Sequence, residues 1–327
     1  MVKKQAAKRL PLDRCHLYGL RSPQALANRL GWQLDKLESL AKDGGYSVYP
    51  HPQTGRRIEE PGKALQSLHK QVHRYLARLD VPEYLHSSVK KRSYLTNAQT
   101  HVGVGGLIKV DIAKFYRKVP QHRVMHFFRD QLNCAPDVAG LIANLICFDG
   151  HLPTGSSVSP IMSFWACRSM FNDLADLANS HDLRMSCYVD DVTMSGERAT
   201  IGVLRAARSI IFREGFTAHK DRYFAPQSAK LVTGIVVGAD KIMLPHSRWK
   251  KINDAINAIH VCATDVERLI LYPRLVSRLY EATQIDPRCR RLAEFHHEAW
   301  RTIKRDMLTV KPGVVAATSE PLTATSI

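Results

Sequence analysis

The sequence predicts an α+β fold in which a mixed body of helices and strands precedes an all-helical end. A short β-rich run extends from Leu107 to Ile112, and the segment from Met185 to Ser195 is typical of a hairpin. Beyond Pro245 the chain is predicted to be helical, over 247–261, 264–284 and 286–306. This order indicates a catalytic module with an appended helical arm.

The helices of the mixed body are predicted from apolar spacing and from their first residues. Ser22 as N-cap and Pro23 at the first helical position predict a helix over 22–42, and leucines at helical spacing predict another over 62–79. Three more helices begin at or beside a proline, the last with Ser159 as its cap, and are predicted over 120–132, 136–147 and 159–179.

The other segments are predicted to be turns, strands and a tail. Gly and Pro residues between 44 and 55 fit turns or a hairpin, and a strand pair is predicted within Lys230–Leu244. Residues 311–327 contain Pro, Gly, Ser and Thr with few charges, so we expect a flexible tail. Residues 20–40 also resemble the first two helices of a helix-turn-helix, although packing within the body is the favoured interpretation.

The charge balance indicates a polyanionic partner. The 327 residues include 47 Lys and Arg against 30 Asp and Glu, a net charge of +17. A field of that size attracts nucleic acid above all, and no amphipathic anchor favours a membrane surface instead. The seven cysteines include no Cys-x-x-Cys pair. We therefore expect reduced thiols, no zinc site, and a cytoplasmic protein without a membrane segment.

Three carboxylates form a candidate metal site. Asp111 ends the apolar strand, and Asp190 and Asp191 occupy the predicted hairpin turn between apolar flanks. A turn can direct two adjacent carboxylates at one site, whereas neighbours in a regular strand face opposite sides. Most Asp pairs are solvated turn residues, but buried, uncompensated carboxylates are costly, so a metal site is the natural explanation here. Nucleotide polymerisation uses two Mg²⁺ ions, which prefer such hard oxygen ligands.

Three segments resemble the palm motifs of reverse transcriptases, in the family's order. Residues 188–191 have the sequence YVDD and resemble the YxDD motif. Residues 110–116, VDIAKFY, are similar to the first palm motif, which supplies the third carboxylate. Residues 151–160, HLPTGSSVSP, resemble the LPQG…SP loop that supports the templating base and the incoming nucleotide. The resemblance covers roughly residues 45–245.

Three shorter matches resemble the bacterial retron branch of that family. Residues 55–61, GRRIEEP, are similar to the basic segment that opens the fingers of bacterial reverse transcriptases. Residues 97–101, NAQTH, fit the NAxxH signature of retron enzymes, and residues 232–234, VTG, fit their VTG signature. The 93 residues that follow that last signature are fewer than the maturase and further domains of group II intron enzymes require.

The resemblance implies a right-hand polymerase with an antiparallel palm sheet and a helical thumb. Its expected parts are fingers over 1–105 with 120–150, a palm over 106–119 and 151–244, a helical thumb over 245–310, and the flexible tail over 311–327.

The resemblance also implies the roles of individual residues. Asp111, Asp190 and Asp191 are expected to be catalytic and to bind two Mg²⁺ ions, with the Ile112 carbonyl as a further ligand. Tyr116 is expected to close on the sugar and select deoxynucleotides, with core packing as the alternative. The other expected nucleotide-binding residues are Thr154, Gly155, Lys91, Arg92 and Lys220.

Several of these roles leave alternatives open. Thr154 replaces the glutamine commonest in the LPQG loop, and its hydroxyl has a shorter reach. Two alternatives are open for the basic run Lys90, Lys91 and Arg92: it could bind phosphates or form a solvated basic face. The same two alternatives apply to Arg56 and Arg57. Lys220 is a general-acid candidate for pyrophosphate departure or a phosphate contact.

RNA-binding residues are expected in the two retron signatures and in the thumb. Asn97 and His101 are expected to have an RNA-contacting or a structural role. The other expected RNA-binding residues are Val232, Thr233, Gly234, Arg248, Lys250 and Lys251.

The resemblance implies an RNA-directed DNA polymerase that copies its own structured noncoding RNA. Priming from a 2′-hydroxyl of that RNA would leave RNA and DNA covalently joined as msDNA. The expected partners are this RNA, its msDNA, dNTP substrates and an effector protein in anti-phage defence. The alternatives are a group II intron-like or other defence reverse transcriptase, and a polymerase-fold scaffold that binds RNA.

Overall fold

The computed structural model describes residues 9–43 and 45–309. These residues form two compact units that divide after Ile242. The first unit combines helices with antiparallel sheets and the second is helical, so the predicted α+β fold class is confirmed. The predicted tail over 311–327 lies outside the described residues.

The first unit contains α-helices and two kinds of short helical turn. Its α-helices are α1 (Pro23–Leu30), α2 (Leu34–Asp43), α3 (Lys63–Leu76), α4 (Tyr94–Gln99), α5 (Phe115–Lys118), α6 (Gln121–His126), α7 (Pro136–Ile146), α8 (Ser159–Ala166), α9 (Arg168–Ser180) and α10 (Ile201–Arg213). A 3₁₀ turn spans Leu12–Arg14, and a π-helical turn, Phe127–Gln131, follows α6.

The strands of the first unit form small antiparallel sheets. They are β1 (Tyr46–Pro50), β2 (Arg57–Pro61), β3 (Gly106–Ile112), β4 (Arg184–Tyr188), β5 (Asp191–Gly196), β6 (Ala218–Phe224), β7 (Lys230–Val232) and β8 (Ile235–Val237), and β9 (Ile242–Met243) follows at the division between the units. β1 and β2 pair as a hairpin, and so do β7 and β8.

The central sheet has the strand order β4-β5-β3-β6. Lys109 lies opposite Arg222 whereas Asp111 lies opposite His219, so β6 has one extra residue beside β3. Lys220 has a φ of +54° in this bulge. A bulge bends its strand and re-aims the neighbouring side chains, and here it lies beside the end of β3 that carries Asp111.

The two faces of β3 have different neighbours. Ile108, Val110 and Ile112 are buried in the apolar core that joins the sheet to the helices. Because successive strand residues face opposite sides, Lys109 and Asp111 share the other face, where both are only partly buried. The core therefore fixes the strand, and its carboxylate is left on the accessible face.

Two predicted helices are each divided in the structure. The predicted helix over 22–42 breaks at Gly31, whose φ of +69° ends α1; glycine takes this left-handed conformation without a steric cost. The predicted helix over 159–179 breaks at Cys167, between α8 and α9. Ser159 is not a cap, because its hydroxyl donates to the Pro153 carbonyl at 2.7 Å.

The second unit consists of α11 (His246–His260), α12 (Asp265–Thr283) and α13 (Cys289–Thr309). The three helices predicted beyond Pro245 are thus confirmed, and their core includes Ile252, Leu275 and Leu279. Thr264 caps α12 reciprocally with Glu267. Among the described helices, none combines the length and apolar content needed to cross a bilayer.

Candidate active site

The turn between β4 and β5 has a strained backbone and is held by hydrogen bonds to neighbouring segments. Tyr188 pairs with Asp191, which leaves Val189 and Asp190 as the two turn residues. Val189 has a φ of +60°, a region that costs a β-branched residue about 1–3 kcal/mol. Its N–H donates to the Ser87 hydroxyl at 3.0 Å, and the Ile112 N–H donates to the Asp190 carbonyl at 3.0 Å. The first bond ties the turn to the segment before α4, and the second holds it against β3.

Asp111 and Asp190 line one cleft of about 640 Å³. Burial raises the pKa of Asp190 to about 6, and the negative charges of Asp111 and Asp191 raise it further. His219 Nδ1 lies 3.2 Å from an oxygen of Asp111. Two carboxylates in one cleft concentrate negative charge, and such a site favours a cation.

Asp191 differs from the prediction. It begins β5 instead of lying in the turn, and it is absent from the residues that line the cleft. Lys109 Nζ lies 2.6 Å from Asp191 Oδ2. Burial raises the pKa of Asp191, and the Lys109 ammonium opposes that shift. Asp191 lies directly opposite Asp111 in the β3–β5 pair, so these two carboxylates share one face of the sheet. Unlike Asp190, Asp191 is in addition paired with a lysine.

The donor set fits hydrated divalent cations. Across the described ranges, no group of three or more His, Cys, Asp or Glu side chains is arranged as a metal-binding cluster. Mg²⁺ does not require one, because it keeps several waters and uses one or two carboxylates plus substrate phosphates. The buried Oδ1 of Asp191 has no hydrogen-bond partner, and Asp111 and Asp190 offer hard oxygens that repel each other. A bound cation would relieve both conditions.

Cations line the same cleft beside these carboxylates. They come from β2 and the residue before it, from the turn into α5 and from the bulge of β6, and are Arg56, Arg57, Lys114, Arg117 and Lys220. Such a set suits a polyphosphate group. The sequence interpretation had singled out Arg56, Arg57 and Lys220. It missed Lys114 and Arg117, although Lys114 lies in the first palm motif and Arg117 directly follows it, so their positive charge was a usable signal.

Tyr116 also lines the cleft, from the single helical turn that follows β3. Its ring packs against the core, with the Phe115 ring centroid 6.2 Å away. Burial raises the pKa of the Tyr116 hydroxyl, and the Asp190 charge adds to this shift. A rigid aromatic edge thus borders the space next to Asp111 and Asp190.

Thr154 and Gly155 clamp β2 to the loop that precedes α8. The Thr154 hydroxyl donates to the Arg57 carbonyl and accepts from the Glu59 N–H, both at 3.1 Å. The Gly155 N–H donates to the Glu59 carbonyl at 3.0 Å. A Cβ on Gly155 would lie 2.7 Å from that carbonyl oxygen, so only glycine permits this approach. Thr154 lines the cleft as well, whereas Gly155 does not.

Lys91 and Arg92 are not among the residues that line the cleft. The Arg92 guanidinium donates to the carbonyls of Pro82 and Leu85, both at 2.7 Å. Lys90 and Lys91 are exposed. Of the two alternatives for this run, a solvated basic face with one structural arginine describes the geometry.

Asn97 and His101 are buried, and of the two roles expected for them a structural one fits this burial. Asn97 is 0% and His101 1% exposed. His101 Nδ1 lies 2.7 Å from the Ser195 hydroxyl and Nε2 lies 2.7 Å from the Ser186 hydroxyl. Burial lowers the pKa of His101 to about 3. The neutral ring therefore links the adjacent strands β4 and β5 behind the active-site turn.

We expect His101→Ala to lower the free energy of unfolding by about 3 kcal/mol, because a cavity forms and two buried hydroxyls lose their partner. His101 has a folded pKa below its unfolded value of 6.5. Its contribution is present above that pH and is lost as the pH falls, so the variant should also lose part of the acid sensitivity. Urea titrations at several pH values measure both effects. The exposed His122→Ala is the control, and equal stability of both variants would contradict the structural role.

Val232 ends β7, and Thr233 and Gly234 form the turn between β7 and β8. Thr233 and Gly234 have φ values of +45° and +76°, which is the pattern of a tight hairpin turn. The Thr233 hydroxyl donates to the Tyr94 carbonyl at 2.9 Å, so the turn is tied to α4, the helix that carries Asn97. Val232 is buried and Gly234 is exposed. The VTG segment thus contacts the helix on which the NAxxH segment begins.

The predicted RNA-binding residues of the second unit lie on α11. Lys250 and Lys251 are exposed. Arg248 is partly buried and pairs with Glu281 at 3.0 Å. Lys251 borders a surface groove together with Arg274 and Arg278 of α12. This unit therefore presents a basic surface formed by two of its helices.

Comparison with known proteins gives relatives of one kind. The retron Ec86 reverse transcriptase of Escherichia coli is 24% identical over 243 residues, which cover 71% of this chain and 76% of that protein. The retron Se72 reverse transcriptase of Salmonella heidelberg is 28% identical over 54% of this chain and 48% of that protein. The retron Mx162 reverse transcriptase of Myxococcus xanthus is 26% identical over 67% of this chain and 54% of that protein. The chain thus spans about half the length of the last two.

Two further comparisons complete this result. No family model matches the chain. A solved foamy viral protease-reverse transcriptase in complex with an RNA/DNA hybrid has a TM-score of 0.43 and 16% identity, over 81% of this chain and 33% of that one.

The named relatives are all reverse transcriptases, and the similarity of this chain to them supports the class of RNA-directed DNA polymerases. Within that class, the chain is a homologue of the bacterial retron reverse transcriptases, at 20–28% identity. The family resemblance drawn from the palm motifs and the retron signatures is confirmed.

Proposed function

We propose that this chain copies a structured noncoding RNA of its own retron into DNA that stays joined to that RNA. The observation that carries the proposal is the cleft in which Asp111 and Asp190 lie beside five Lys and Arg residues. It offers carboxylates for cations and cations for a triphosphate, the two requirements of nucleotide addition. The retron relatives support the choice of template.

In this proposal Asp111, Asp190 and Asp191 hold two Mg²⁺ ions, with the Ile112 carbonyl as a further ligand. When bound, the ions activate the attacking hydroxyl and stabilise the charge on the leaving pyrophosphate. Asp191 completes the negative charge of the site, while Lys109 keeps its carboxylate at a fixed position through the 2.6 Å contact.

The incoming deoxynucleotide lies between the carboxylates and the cations. Arg56 and Arg57 bind its phosphates, and Lys220, which lines the same cleft, either donates a proton to the departing pyrophosphate or contacts its phosphates. Tyr116 borders the sugar and leaves no room for a 2′-hydroxyl. Thr154 and Gly155 support this pocket by fixing β2, whose first residue is Arg57.

The RNA partner is bound through its shape and phosphates. Structured RNA is recognised through phosphates, 2′-hydroxyls and exposed ends, and the basic surface of α11 supplies Lys250 and Lys251 for such contacts. Priming from a 2′-hydroxyl of this RNA yields the joined product. An effector protein in anti-phage defence is the further partner in this proposal.

The joined product provides the test. We expect protein purified from cells that express it with its noncoding RNA to carry DNA whose 5′ end keeps a short RNA after ribonuclease digestion. A 2′,5′-debranching enzyme should then release that RNA and increase the mobility of the DNA on a denaturing gel. The Asp190→Asn variant, purified in parallel, should carry RNA without DNA.

Two other outcomes would replace the proposal. Recovery of unbranched DNA alone would favour a group II intron-like or other defence reverse transcriptase. RNA without DNA from the wild type, together with no primer extension on added template, would favour an RNA-binding scaffold.

A further inference from the structure

Glu59 is a buried carboxylate with three cationic or titratable partners. Its side chain, on β2, is 0% exposed. One carboxylate oxygen lies 3.1 Å from Arg57 Nε and 3.7 Å from Arg117 Nε. The other lies 3.2 Å from His151 Nε2. Since β2, α5 and the loop before α8 each contribute one partner, this single carboxylate joins three separate parts of the first unit.

Both arginines extend from the buried carboxylate to the cleft. Arg57 and Arg117 line the cleft that contains Asp111 and Asp190. Their side chains are 45% and 40% exposed, whereas that of Glu59 is not exposed. Because both guanidinium groups approach the same oxygen, they are close to each other, and without Glu59 their like charges would drive them apart.

The position of Glu59 is fixed through its backbone as well. Its N–H donates to Thr154 and its carbonyl accepts from Gly155. A buried charge is costly unless it is paired, and two of the three partners of Glu59 are arginines that line the cleft. An apolar residue in the same place would fill the space without holding two arginines beside the cleft.

We infer that Glu59 is a positioning residue for substrate binding, which holds Arg57 and Arg117 where the triphosphate of the incoming nucleotide lies. This inference rests on the proposed function. Glu59 itself does not line the cleft, so it acts through the two arginines. Both guanidinium groups are therefore in position before the nucleotide binds, and binding does not incur the entropic cost of ordering them.

The test compares Glu59→Gln with Glu60→Gln in single-nucleotide incorporation on a fixed primer–template. Glu60 is the next residue of β2, is exposed, and bonds to the Tyr49 hydroxyl, so it is a matched control. We expect Glu59→Gln to raise the KM for dNTP about 10-fold with kcat within about 2-fold, the pattern of lost ground-state binding. The inhibition constant of inorganic pyrophosphate should rise similarly, and the Kd for primer–template should not change.

A double-mutant cycle identifies the arginines as the route of the effect. Arg57→Gln and Arg117→Gln change side chains that are partly exposed, so both variants should fold normally, and each should raise the KM for dNTP. In the Glu59→Gln background the same changes should have a smaller effect, because the arginines are no longer held. The two arginine variants test the inference even if Glu59→Gln is unstable. If neither changes the KM for dNTP or the inhibition by pyrophosphate, the inference is overturned.

The results also separate this inference from the proposed function. An active wild type whose Glu59→Gln variant matches Glu60→Gln in KM would overturn only the role of Glu59. A variant that loses kcat and thermal stability with KM unchanged would show that Glu59 is structural, which overturns the inference too. A wild type that incorporates no nucleotide on any primer–template would contradict the proposed function itself.

Discussion

Asp190→Asn is expected to reduce DNA synthesis by on the order of 10³-fold or more, which corresponds to about 4 kcal/mol of lost transition-state stabilisation. Asparagine keeps the size of the side chain but removes the negative charge that would attract and hold the cations. The backbone bonds that hold the turn, from Val189 and Ile112, do not involve the Asp190 side chain. The fold should therefore survive, and single-turnover incorporation under saturating Mg²⁺ measures the effect.

Asp182→Asn is the control for this change. Asp182 lies at the other end of β4, is exposed, and has a φ of +54° that asparagine tolerates. We expect its rate to equal that of the wild type. Asp191→Asn should also slow synthesis, because it leaves the Lys109 ammonium unpaired beside Asp111. Near-normal synthesis by Asp190→Asn would end the assignment of this carboxylate to the metal site.

The central strands and the carboxylate pair were predictable because their signals are local. The apolar run before Asp111 predicts a buried strand, and an Asp pair between apolar flanks predicts a turn with function. The different position of Asp191 was not predictable in this way. It depends on the cross-strand pair with Tyr188, which decides where the turn ends, and on Lys109, which lies far away in sequence.

Strand β6 escaped prediction because it is polar. Its sequence, AHKDRYF, has no apolar alternation, and it pairs with the central sheet along one edge only. Edge strands of this kind are stabilised by their backbone pairing more than by burial. The consequence for the site is direct, because the bulge of β6 brings His219 and Lys220 to the cleft.

Buried polar residues were the least predictable part of the site. His101 appears as a polar signature residue in the sequence, yet its partners, Ser186 and Ser195, lie 85 and 94 residues away along the chain. Glu59 carries no sign of burial either, since it stands among charged residues in a hairpin strand. Such contacts arise only when the fold brings distant segments together, so a single sequence cannot assign them.

Tyr116→Ala is expected to lower the ratio of deoxynucleotide to ribonucleotide incorporation by on the order of 10²-fold, or about 2.7 kcal/mol. The ring packs against Phe115 and the core, so it cannot swing away from a 2′-hydroxyl. Removing it opens the space beside the sugar, while Asp111 and Asp190 keep their positions. Incorporation of dCTP and CTP opposite the same template base measures this ratio.

Tyr116→Phe is the matched control, because it keeps the ring and removes only the hydroxyl, and we expect it to retain the wild-type ratio. Tyr116→Ala should also keep its rate with dCTP within about 10-fold, since the carboxylates and the cleft arginines are unchanged. If Tyr116→Ala instead slows both nucleotides equally and leaves the ratio unaltered, the ring serves core packing alone. A loss of discrimination in Tyr116→Phe as well would mean that the hydroxyl, not the bulk of the ring, excludes ribonucleotides.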